Sequence, residues 1–386
     1  MNESPLARAL PVGRSRLPSL DVTRGVAMIF VCLSHFCLAA VASLGATRTF
    51  SALITISMLA SPTFMLVSGL TLGYAYSARR DAFRAFSHKL LARGAYLVTG
   101  VHLLMIPPQY YLSARGHPMR SLFITDAIGL NFLIAPWLMT HVRWRARIVA
   151  AIGLLVLGAV MVGFIPLRVS LPVQVLRDTL SGTLGQSLWF SSFPLIPWLV
   201  PYLVGSAIGE SLSAHTAGAE RANALVLLRW SAISLGTAVS LEALARVIVQ
   251  TASGERTLMF ASWLGDPWTK QPPSPTYLAF FLGVGLLITA VLTLVLGSDR
   301  PAWFIRRLAN AGRASLFLFV LQAYVYFVIY TQWIHPGAYW VVNFLVSLVV
   351  LAVLAHAWLR VTSSTRRNAK TARLLGDHHV ARLQAE

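Results

Sequence analysis

Charged residues are scarce in this sequence. Only 12% of its 386 residues are Asp, Glu, Lys or Arg, whereas hydrophobic residues make up 56% and the mean hydropathy is +0.66. A soluble domain carries about 25% charged residues, so this composition excludes an ordinary soluble globular fold. Apolar runs of about 20 residues recur along the chain, and each is long enough to cross a hydrocarbon layer of about 30 Å. The sequence therefore predicts an all-α polytopic protein of the lipid bilayer.

Acidic residues are scarcer than basic ones, with 13 Asp and Glu against 32 Lys and Arg and a formal net charge of +19. The basic residues lie in short loops between apolar runs, as the positive-inside rule expects of cytoplasmic loops. No nucleic-acid partner is therefore predicted. Cysteine is nearly absent as well. Cys32 and Cys37 point about 140° apart on one predicted helix, so we expect no disulfide between them.

The apolar runs predict about ten transmembrane spans. They cover residues 24–44, 52–76, 93–113, 121–141, 147–166, 189–211, 223–249, 277–297, 312–334 and 339–360. With ten spans the basic loops all fall on one side, and both termini are cytoplasmic. We predict a flexible basic N-terminus over 1–17, a single transmembrane domain over 18–365 and a polar cytoplasmic tail over 366–386.

A polar pattern interrupts the first apolar run. In SLDVTRGVAMIFVCLSHF, residues 19–36, Asp21 and Arg24 come at the start of the run and His35 lies inside it. A titratable imidazole within a span is costly and suggests function, although a helix–helix hydrogen bond is the alternative. Asp21 is predicted to cap the helix. Arg24 and His35 are spaced to share one helix face, about 16 Å apart along the axis, and Arg24 could also simply mark the cytoplasmic interface.

These residues resemble the first span of the transmembrane acyltransferase superfamily, which shows S-x-D-x-x-R-G followed by a histidine. Further segments are similar, in order, to the catalytic domain of the heparan-α-glucosaminide N-acetyltransferase type. They are ASPTFMLVSGLTLGYAYSARR (60–80), LLARGAYLV (90–98), FPLIPWLVPYLVGSAIG (193–209) and NAGRASLFLFVLQAY (310–324). TDAIGLNFLIAPW (125–137) and the G-R-x-S-L span also resemble acyltransferase family 3, the periplasmic-glucan succinyltransferase type. Many relatives carry a histidine where this chain has Gln322.

The resemblance implies an enzyme that moves an acyl group, most simply acetyl, from cytoplasmic acyl-CoA to a carbohydrate acceptor across the membrane. It also implies a multi-pass protein of a bacterial inner membrane. Acyl-CoA is then the donor substrate, and no metal is expected. His35 would act either as a general base on the acceptor or as the carrier of the acyl group. Arg24 would orient the reactants or contact a phosphate.

Cations on the predicted cytoplasmic face are the candidates for CoA binding, because arginine forks match phosphate oxygens. They are Arg79, Arg80, Lys89 and Arg93, and each of them could also be an ordinary positive-inside residue. Asp126 is predicted as a catalytic residue that orients His35 or binds the acceptor, with a helix-start cap as the alternative. His102 is a further candidate, for which a packing role is the alternative.

Two other classes of function stay open. A permease with a proton or ligand path through His35, Asp126 and His102 would also explain buried polar residues. The sequence shows no internal repeat of the kind common in transporters. A family member that has lost catalysis would explain Gln322. Substitution of His35 by Ala separates these classes, since only an acyltransferase would lose acyl transfer. No sequence feature specifies the oligomeric state.

Overall fold

Helices form all the regular structure in the part of the chain described here. A computed structural model describes residues 17–78, 80, 83–112, 121–165, 169–184, 193–212, 219–296, 302–335, 337 and 339–383, with side chains up to residue 365. The helices are α1 (Pro18–Leu44), α2 (Arg48–Ser57), α3 (Ala60–Ala78), α4 (Phe83–Tyr96), α5 (His102–Leu112), α6 (Ile124–His141), α7 (Trp144–Phe164), α8 (Leu171–Leu180), α9 (Leu195–Ser211), α10 (Ala219–Thr251), α11 (Glu255–Gly265), α12 (Pro275–Val295), α13 (Trp303–Arg313), α14 (Ser315–Tyr324) and α15 (Trp340–Leu383). Wide π-helical segments, Leu97–Val101 and Val325–Ile334, join α4 to α5 and extend α14.

Eight helical stretches of the described chain are long and apolar enough to cross a membrane. They are Pro18–Leu44, Arg48–Ala78, Phe83–Tyr111, Trp144–Phe164, Ala219–Thr251, Pro275–Val295, Ser315–Ile334 and Trp340–Thr365. Each coincides with a predicted span, so the prediction of an all-α polytopic membrane protein is confirmed. The other two predicted spans coincide with α6 and α9, which have 18 and 17 residues. The number ten and the cytoplasmic termini stay predictions.

The first helix begins earlier than the sequence predicted. It starts at Pro18, because the proline ring sets a helical φ and the first helical position needs no N–H donor. Asp21 therefore lies within the first turn, and the prediction that it caps the helix is wrong. At the other end of the chain, α15 continues to Leu383 through the residues predicted as a polar tail. The predicted N-terminal segment lies, up to residue 16, outside the described residues.

The centre of the bundle is built on close contact between α3 and α9. A Cβ atom on Gly69 would overlap the Tyr202 carbonyl oxygen, and one on Gly209 would overlap the Leu70 carbonyl oxygen. Small residues of this kind let membrane helices approach until their backbones touch. Trp198 is fully buried in this region. The α3–α9 pair thus gives a rigid frame against which the helices that carry the candidate residues pack.

Candidate active site

His35 is hydrogen-bonded to Gln322, which lies on α14. The distance between His35 Nδ1 and Gln322 Oε1 is 2.8 Å. The amide nitrogen of Gln322 donates to the Phe319 carbonyl oxygen at 2.8 Å, so the amide oxygen is the atom that faces the imidazole. Only a protonated Nδ1 can donate to that oxygen, and the hydrogen-bond network therefore assigns the proton of neutral His35 to Nδ1. The lone pair of His35 then resides on Nε2.

Two aromatic rings frame the imidazole. The Phe327 ring centre lies 4.6 Å from that of His35, and the Phe319 ring lies edge-on at 6.2 Å. Phe327 belongs to the π-helical segment that follows α14, and such wide turns are frequent at functional sites. Gln322 is fully buried, whereas His35 is partly exposed. The imidazole is thus held from its buried side while part of the ring remains accessible.

The contact between His35 and Gln322 depends on a helix crossing about three turns away. A Cβ atom on Gly25 of α1 would overlap the Leu308 carbonyl oxygen, and one on Gly312 of α13 would overlap the Asp21 carbonyl oxygen. The S-x-D-x-x-R-G and G-R-x-S-L motifs therefore touch through their glycines. His35 follows Gly25 by ten residues, and Gln322 follows Gly312 by the same number. A break at Ala314 separates α13 from α14, and α14 then carries Gln322 to His35.

Arg24 lies beside this crossing. Its Nη2 donates to Thr71 Oγ1 on α3 at 2.7 Å, and its Nη1 lies 3.5 Å from the Asp21 carboxylate. About four fifths of the Arg24 side chain is buried, with 21% exposed. The predicted common face with His35 stands, because α1 is helical throughout, but the two side chains are about 16 Å apart along the axis. Arg24 therefore does not contact His35 directly.

Asp126 is paired with His102. Its Oδ2 lies 2.9 Å from His102 Nδ1 and accepts the Phe123 backbone N–H at 2.8 Å. The second contact confirms that the carboxylate caps the start of α6, while the pairing with His102 was not predicted from the sequence. His35 has Gln322, and not Asp126, as its hydrogen-bond partner. Asp126 is only 1% exposed.

The two polar pairs lie at a similar depth in the bundle. His35 is about 26 Å along α1 from Pro18, and Asp126 is about 23 Å along α6 from its end at His141. Both distances are measured from the helix ends next to the basic loops. We call the opposite end of the bundle the outer end. The Tyr324 hydroxyl, two residues after Gln322, donates to the Leu104 carbonyl oxygen, two residues after His102, at 2.8 Å, so the two pairs lie at a similar level nearer the outer end.

Three of the predicted phosphate-binding cations, Arg80, Lys89 and Arg93, are among the described residues. The Arg93 guanidinium carbon is 5.7 Å from the centre of the Phe132 ring. Lys89 is exposed on α4. Arg79 lies outside the described residues. Phe132 in turn lies 6.4 Å, centre to centre, from the ring of the fully buried Tyr202.

Glu210 binds two arginines at the basic end of the bundle. Arg80 Nη2 lies 3.3 Å from Glu210 Oε1, and Arg147 Nη2 contacts the other carboxylate oxygen. Arg147 also donates to Ser206 Oγ at 3.0 Å. Arg80 is 67% exposed, whereas Arg147 is fully buried and needs the carboxylate for charge compensation. In the sequence Arg147 is one of the basic loop residues, and its buried ion pair was not predicted. The one local indication of that pair is Glu210, the single acidic residue at the end of α9.

Six buried side-chain atoms have no hydrogen-bond partner among the described residues. They are Thr63 Oγ1, Thr125 Oγ1, Asp126 Oδ1, Arg147 Nε, Trp198 Nε1 and the Tyr202 hydroxyl oxygen. Buried polar atoms are almost always paired, so such a group calls for an explanation. Apart from Arg147, the residues belong to α3, α6 and α9, which meet at the centre of the bundle.

The family model described as "Heparan-alpha-glucosaminide N-acetyltransferase, catalytic" matches residues 16–245, which is more than half of the chain. The chain belongs to this family. It is therefore a multi-pass membrane protein of an acetyltransferase-type family. No curated protein matches the chain.

The match to the heparan-alpha-glucosaminide N-acetyltransferase family covers some of the site residues and not others. Arg24, His35 and Asp126 lie within the matched residues 16–245. Gly312 and Gln322 lie beyond them. The pairing of His35 with Gln322 is thus an independent observation, because it comes from the packing of α1 on α13 and α14 and not from the family match.

Proposed function

We propose that this family member transfers an acyl group, acetyl in the first instance, from cytoplasmic acyl-CoA to a carbohydrate acceptor at the outer end. The observation that carries this proposal is the hydrogen bond between His35 and Gln322. In the neutral imidazole this bond places the lone pair on Nε2, and the ring is partly exposed. A neutral imidazole is the form that a general base or a nucleophile requires.

In the direct route Nε2 acts as a general base. It takes the proton of an acceptor hydroxyl or amine while the acceptor atom attacks the thioester carbonyl carbon. A bond forms between the acceptor and that carbon, and the carbonyl electron pair moves to oxygen. Collapse of the tetrahedral intermediate breaks the carbon–sulfur bond. The leaving thiolate takes the proton from Nε2, which regenerates neutral His35 and gives CoA with a free thiol.

In the covalent route Nε2 itself attacks the thioester carbonyl carbon. The carbon–sulfur bond breaks, and His35 carries the acyl group as a cationic acyl-imidazole that keeps its Nδ1 proton on Gln322. The acceptor then displaces the imidazole, and its proton neutralises the thiolate released earlier. Both routes need the same nitrogen and the same orientation by Gln322. They differ in whether label stays on the protein before acceptor is added.

The donor would enter from the basic end. Arg24 and Arg93 are the first candidates for the anionic nucleotide part of CoA, and Arg80 and Lys89 are further candidates, as is Arg79, which lies outside the described residues. The pantetheine arm carries two amides. The Tyr202 hydroxyl oxygen, which has no partner among the described residues, suits such an amide and lies partway along α9 between Glu210 at the basic end and the start of the helix. This arrangement supports an acyl group delivered from the cytoplasm to Nε2.

The acceptor would bind near the second polar pair. Asp126 keeps one buried oxygen without a partner, and that oxygen is suited to a sugar hydroxyl or amine. We assign Asp126 a supporting role in acceptor binding and not in orienting His35, because Gln322 already does the latter. An amino sugar is the first acceptor to test, in line with the glucosaminide in the family description. The proposed location is a bacterial inner membrane.

The test uses purified protein in detergent with radiolabelled acetyl-CoA. CoA release and protein-bound label are followed with and without glucosamine, for wild type and for His35→Ala. His356→Ala is the matched control, because His356 is a partly exposed histidine on α15 away from the site. We expect turnover in wild type and His356→Ala, and its loss in His35→Ala. Label that stays on wild type without acceptor supports the covalent route. Absence of turnover and of acyl-CoA binding with acetyl-, succinyl- and longer acyl-CoA would contradict the proposal.

A further inference from the structure

A polar groove lies between α10 and α11, away from the site already described. Its volume is about 290 Å³, close to the lower end of the range of about 300–1,000 Å³ that is usual for small-molecule sites. Its polar lining consists of Glu242, Arg246, Gln250, Ser262 and Asp266. The residues that line it include neither His35 nor Asp126 nor the partners of these two. The groove is therefore a second polar feature of the molecule.

The helix α12 shows at which end of the bundle the groove lies. In the later part of α12, the Thr289 hydroxyl oxygen lies 3.4 Å from that of Thr23, the neighbour of Arg24 at the basic end. Near the start of α12, the Tyr277 hydroxyl donates to the Met58 carbonyl oxygen at 2.9 Å, at the end of α3 opposite to the one that Arg24 contacts. The start of α12 is therefore at the outer end.

The groove lies beyond this outer end of α12. The Ser231 hydroxyl of α10 donates to the Gly283 carbonyl oxygen at 2.8 Å. The Ser234 hydroxyl donates to the Ala279 carbonyl oxygen at 2.7 Å, so the two helices run antiparallel. Beyond that contact α12 extends only about 6 Å, to Pro275, whereas α10 extends about 25 Å to its last residue. The last part of α10 thus projects past the span of α12, where water and solutes of the outer side can reach it.

Small residues form the floor of the groove. Ala245 of α10 and Ala261 of α11 are both buried. A Cβ atom on Gly265 would lie 2.5 Å from Ala245 Cβ, so the two helices touch at this point. Because the floor carries only methyl groups and a glycine, space remains above it between the polar side chains. That space is accessible from outside the protein, since Ser262 at its edge is exposed.

The polar lining offers both donors and acceptors. Glu242 pairs with Arg246 one helical turn later, and the Asp266 carboxylate accepts two hydrogen bonds from its own loop. A carboxylate has about four lone-pair sites, so each of the two acids can accept further hydrogen bonds. Gln250 and Ser262 are exposed, and each can donate and accept. A ligand with several hydroxyl groups matches such a lining.

We infer that this groove binds a short saccharide that carries a free amino group. The sugar hydroxyls pair with the carboxylate, amide and hydroxyl groups of the lining. Two carboxylates, Glu242 and Asp266, against one guanidinium, Arg246, leave the lining with one net negative charge. That charge favours an ammonium group on the ligand and disfavours a phosphate or a carboxylate. The inference goes beyond the proposed function, because binding in the groove requires no acyl transfer.

The experiment measures binding of a glucosamine disaccharide to the purified protein in detergent by titration calorimetry, at a pH where the amine is protonated. Ser262→Trp fills the groove from an exposed position, and Glu242→Gln removes one carboxylate. We expect no binding in Ser262→Trp and about tenfold weaker binding in Glu242→Gln, as for loss of one charge-assisted hydrogen bond. Glu255→Gln is the matched control, an exposed acid of α11 outside the lining, and should bind like wild type.

Asp126→Asn separates the groove from the proposed acceptor site, and binding that persists in it supports the groove. Wild type without binding overturns the inference, and so does binding that is lost in Asp126→Asn and kept in Ser262→Trp. Equal affinity for the N-acetylated disaccharide overturns the role of the amine. Phosphatidylethanolamine that copurifies with wild type and not with Ser262→Trp, without any saccharide binding, would assign the groove to a lipid headgroup instead.

Size-exclusion chromatography shows whether each of these variants is folded. The result is independent of the test of acyl transfer. Wild type that binds the disaccharide in the groove but releases no CoA contradicts the proposed function alone. Wild type that turns over acetyl-CoA but binds equally well in Ser262→Trp contradicts this inference alone.

Discussion

Gly312 of α13 packs directly on the Asp21 carbonyl of α1, with no room for a Cβ atom between them. This contact joins two motifs that are almost 300 residues apart in the chain. It also fixes how α14 lies against α1, because α14 begins three residues after Gly312. Gln322 reaches His35 only in that register. The contact at Gly312 therefore affects His35 Nε2, the proposed reacting nitrogen, indirectly, through the position of α14.

We predict that Gly312→Ala impairs both stability and acyl transfer. The added methyl group would overlap the Asp21 carbonyl, so α13 must move away from α1, and overpacking of this kind costs about 1–3 kcal/mol. The shift would separate Gln322 from His35. Thermal unfolding in detergent and kcat measure the two effects.

Gly236→Ala is the matched control for this substitution. Gly236 lies within α10, and no heavy atom lies within 4 Å of a Cβ atom added there. Alanine is the better helix former by about 1 kcal/mol, so this variant should be no less stable than wild type. If Gly312→Ala and Gly236→Ala have the same thermal stability and the same kcat, the Gly312 contact contributes to neither.

Gln322→Leu should remove the preference of the His35 imidazole for the Nδ1–H tautomer. Leucine keeps most of the volume but offers no acceptor to Nδ1, so the proton is free to move to Nε2 and the reactive lone pair is lost for part of the time. Loss of one hydrogen bond of about 1.5 kcal/mol corresponds to about a tenfold fall in kcat. Nitrogen NMR of labelled histidine should report Nδ1–H in wild type and a mixture in the variant.

The control for Gln322→Leu is Gln322→Glu, which retains an acceptor oxygen for Nδ1. We expect it to keep the Nδ1–H tautomer while it loses the donor to the Phe319 carbonyl oxygen. A spectrum in which wild-type His35 carries its proton on Nε2 would contradict the assignment. The His35→Ala spectrum identifies the resonance of His35 among the ten histidines of the chain.

The spans could be predicted from the sequence because their signal is local. Twenty apolar residues cross a bilayer whatever lies elsewhere in the chain, and a helix of known pitch puts Arg24 and His35 on one face. The cap at Asp21 was predicted wrongly because Pro18, three residues earlier, is a stronger start for the helix. Local patterns therefore predict where the spans lie but not where the helices end, since α15 continues to Leu383 beyond a span predicted to end at 360.

The partners of the site residues could not be predicted, because they depend on contacts between distant helices. Gln322 looked like a departure from the histidine of relatives until the crossing at Gly312 placed it on His35. His102 was predicted either as a second site residue or as a packing histidine, and its contact with Asp126 depends on how α5 lies against α6.

Loss of the Asp126 carboxylate should destabilise the outer layer. Asp126→Ala leaves both the Phe123 N–H and His102 without their acceptor, and an unsatisfied buried group costs about 1–3 kcal/mol. Asp126→Asn keeps one acceptor oxygen and should lose less. A double-mutant cycle with His102→Phe, measured by thermal unfolding, should give a coupling of at least about 0.5 kcal/mol. If the two substitutions destabilise the protein additively, the contact between Asp126 and His102 contributes nothing to stability. KM for the acceptor tests the proposed binding role separately.

Removal of the Glu210 charge should be the most damaging single change at the basic end. Glu210→Gln leaves the fully buried Arg147 without its counter-ion, and breaking a buried pair costs about 3–5 kcal/mol. Glu242→Gln is the matched control, since Glu242 pairs with the exposed Arg246 at i, i+4, where such a bond is worth about 0.3–0.5 kcal/mol. Loss of folded protein on heating in detergent, followed by size-exclusion chromatography, measures both.

The Arg147–Glu210 pair also allows a test of why Glu210→Gln is destabilising. In Glu210→Gln the damage comes from an uncompensated buried charge, so Arg147→Met in the same chain should restore much of the lost stability. Arg80 would remain in the double variant, exposed and able to meet solvent or a phosphate. If Arg80 contributes to acyl-CoA binding, release from Glu210 should lower KM for acetyl-CoA in the double variant and leave kcat unchanged. A double variant as unstable as Glu210→Gln would show that Glu210 stabilises the fold through Arg80 instead.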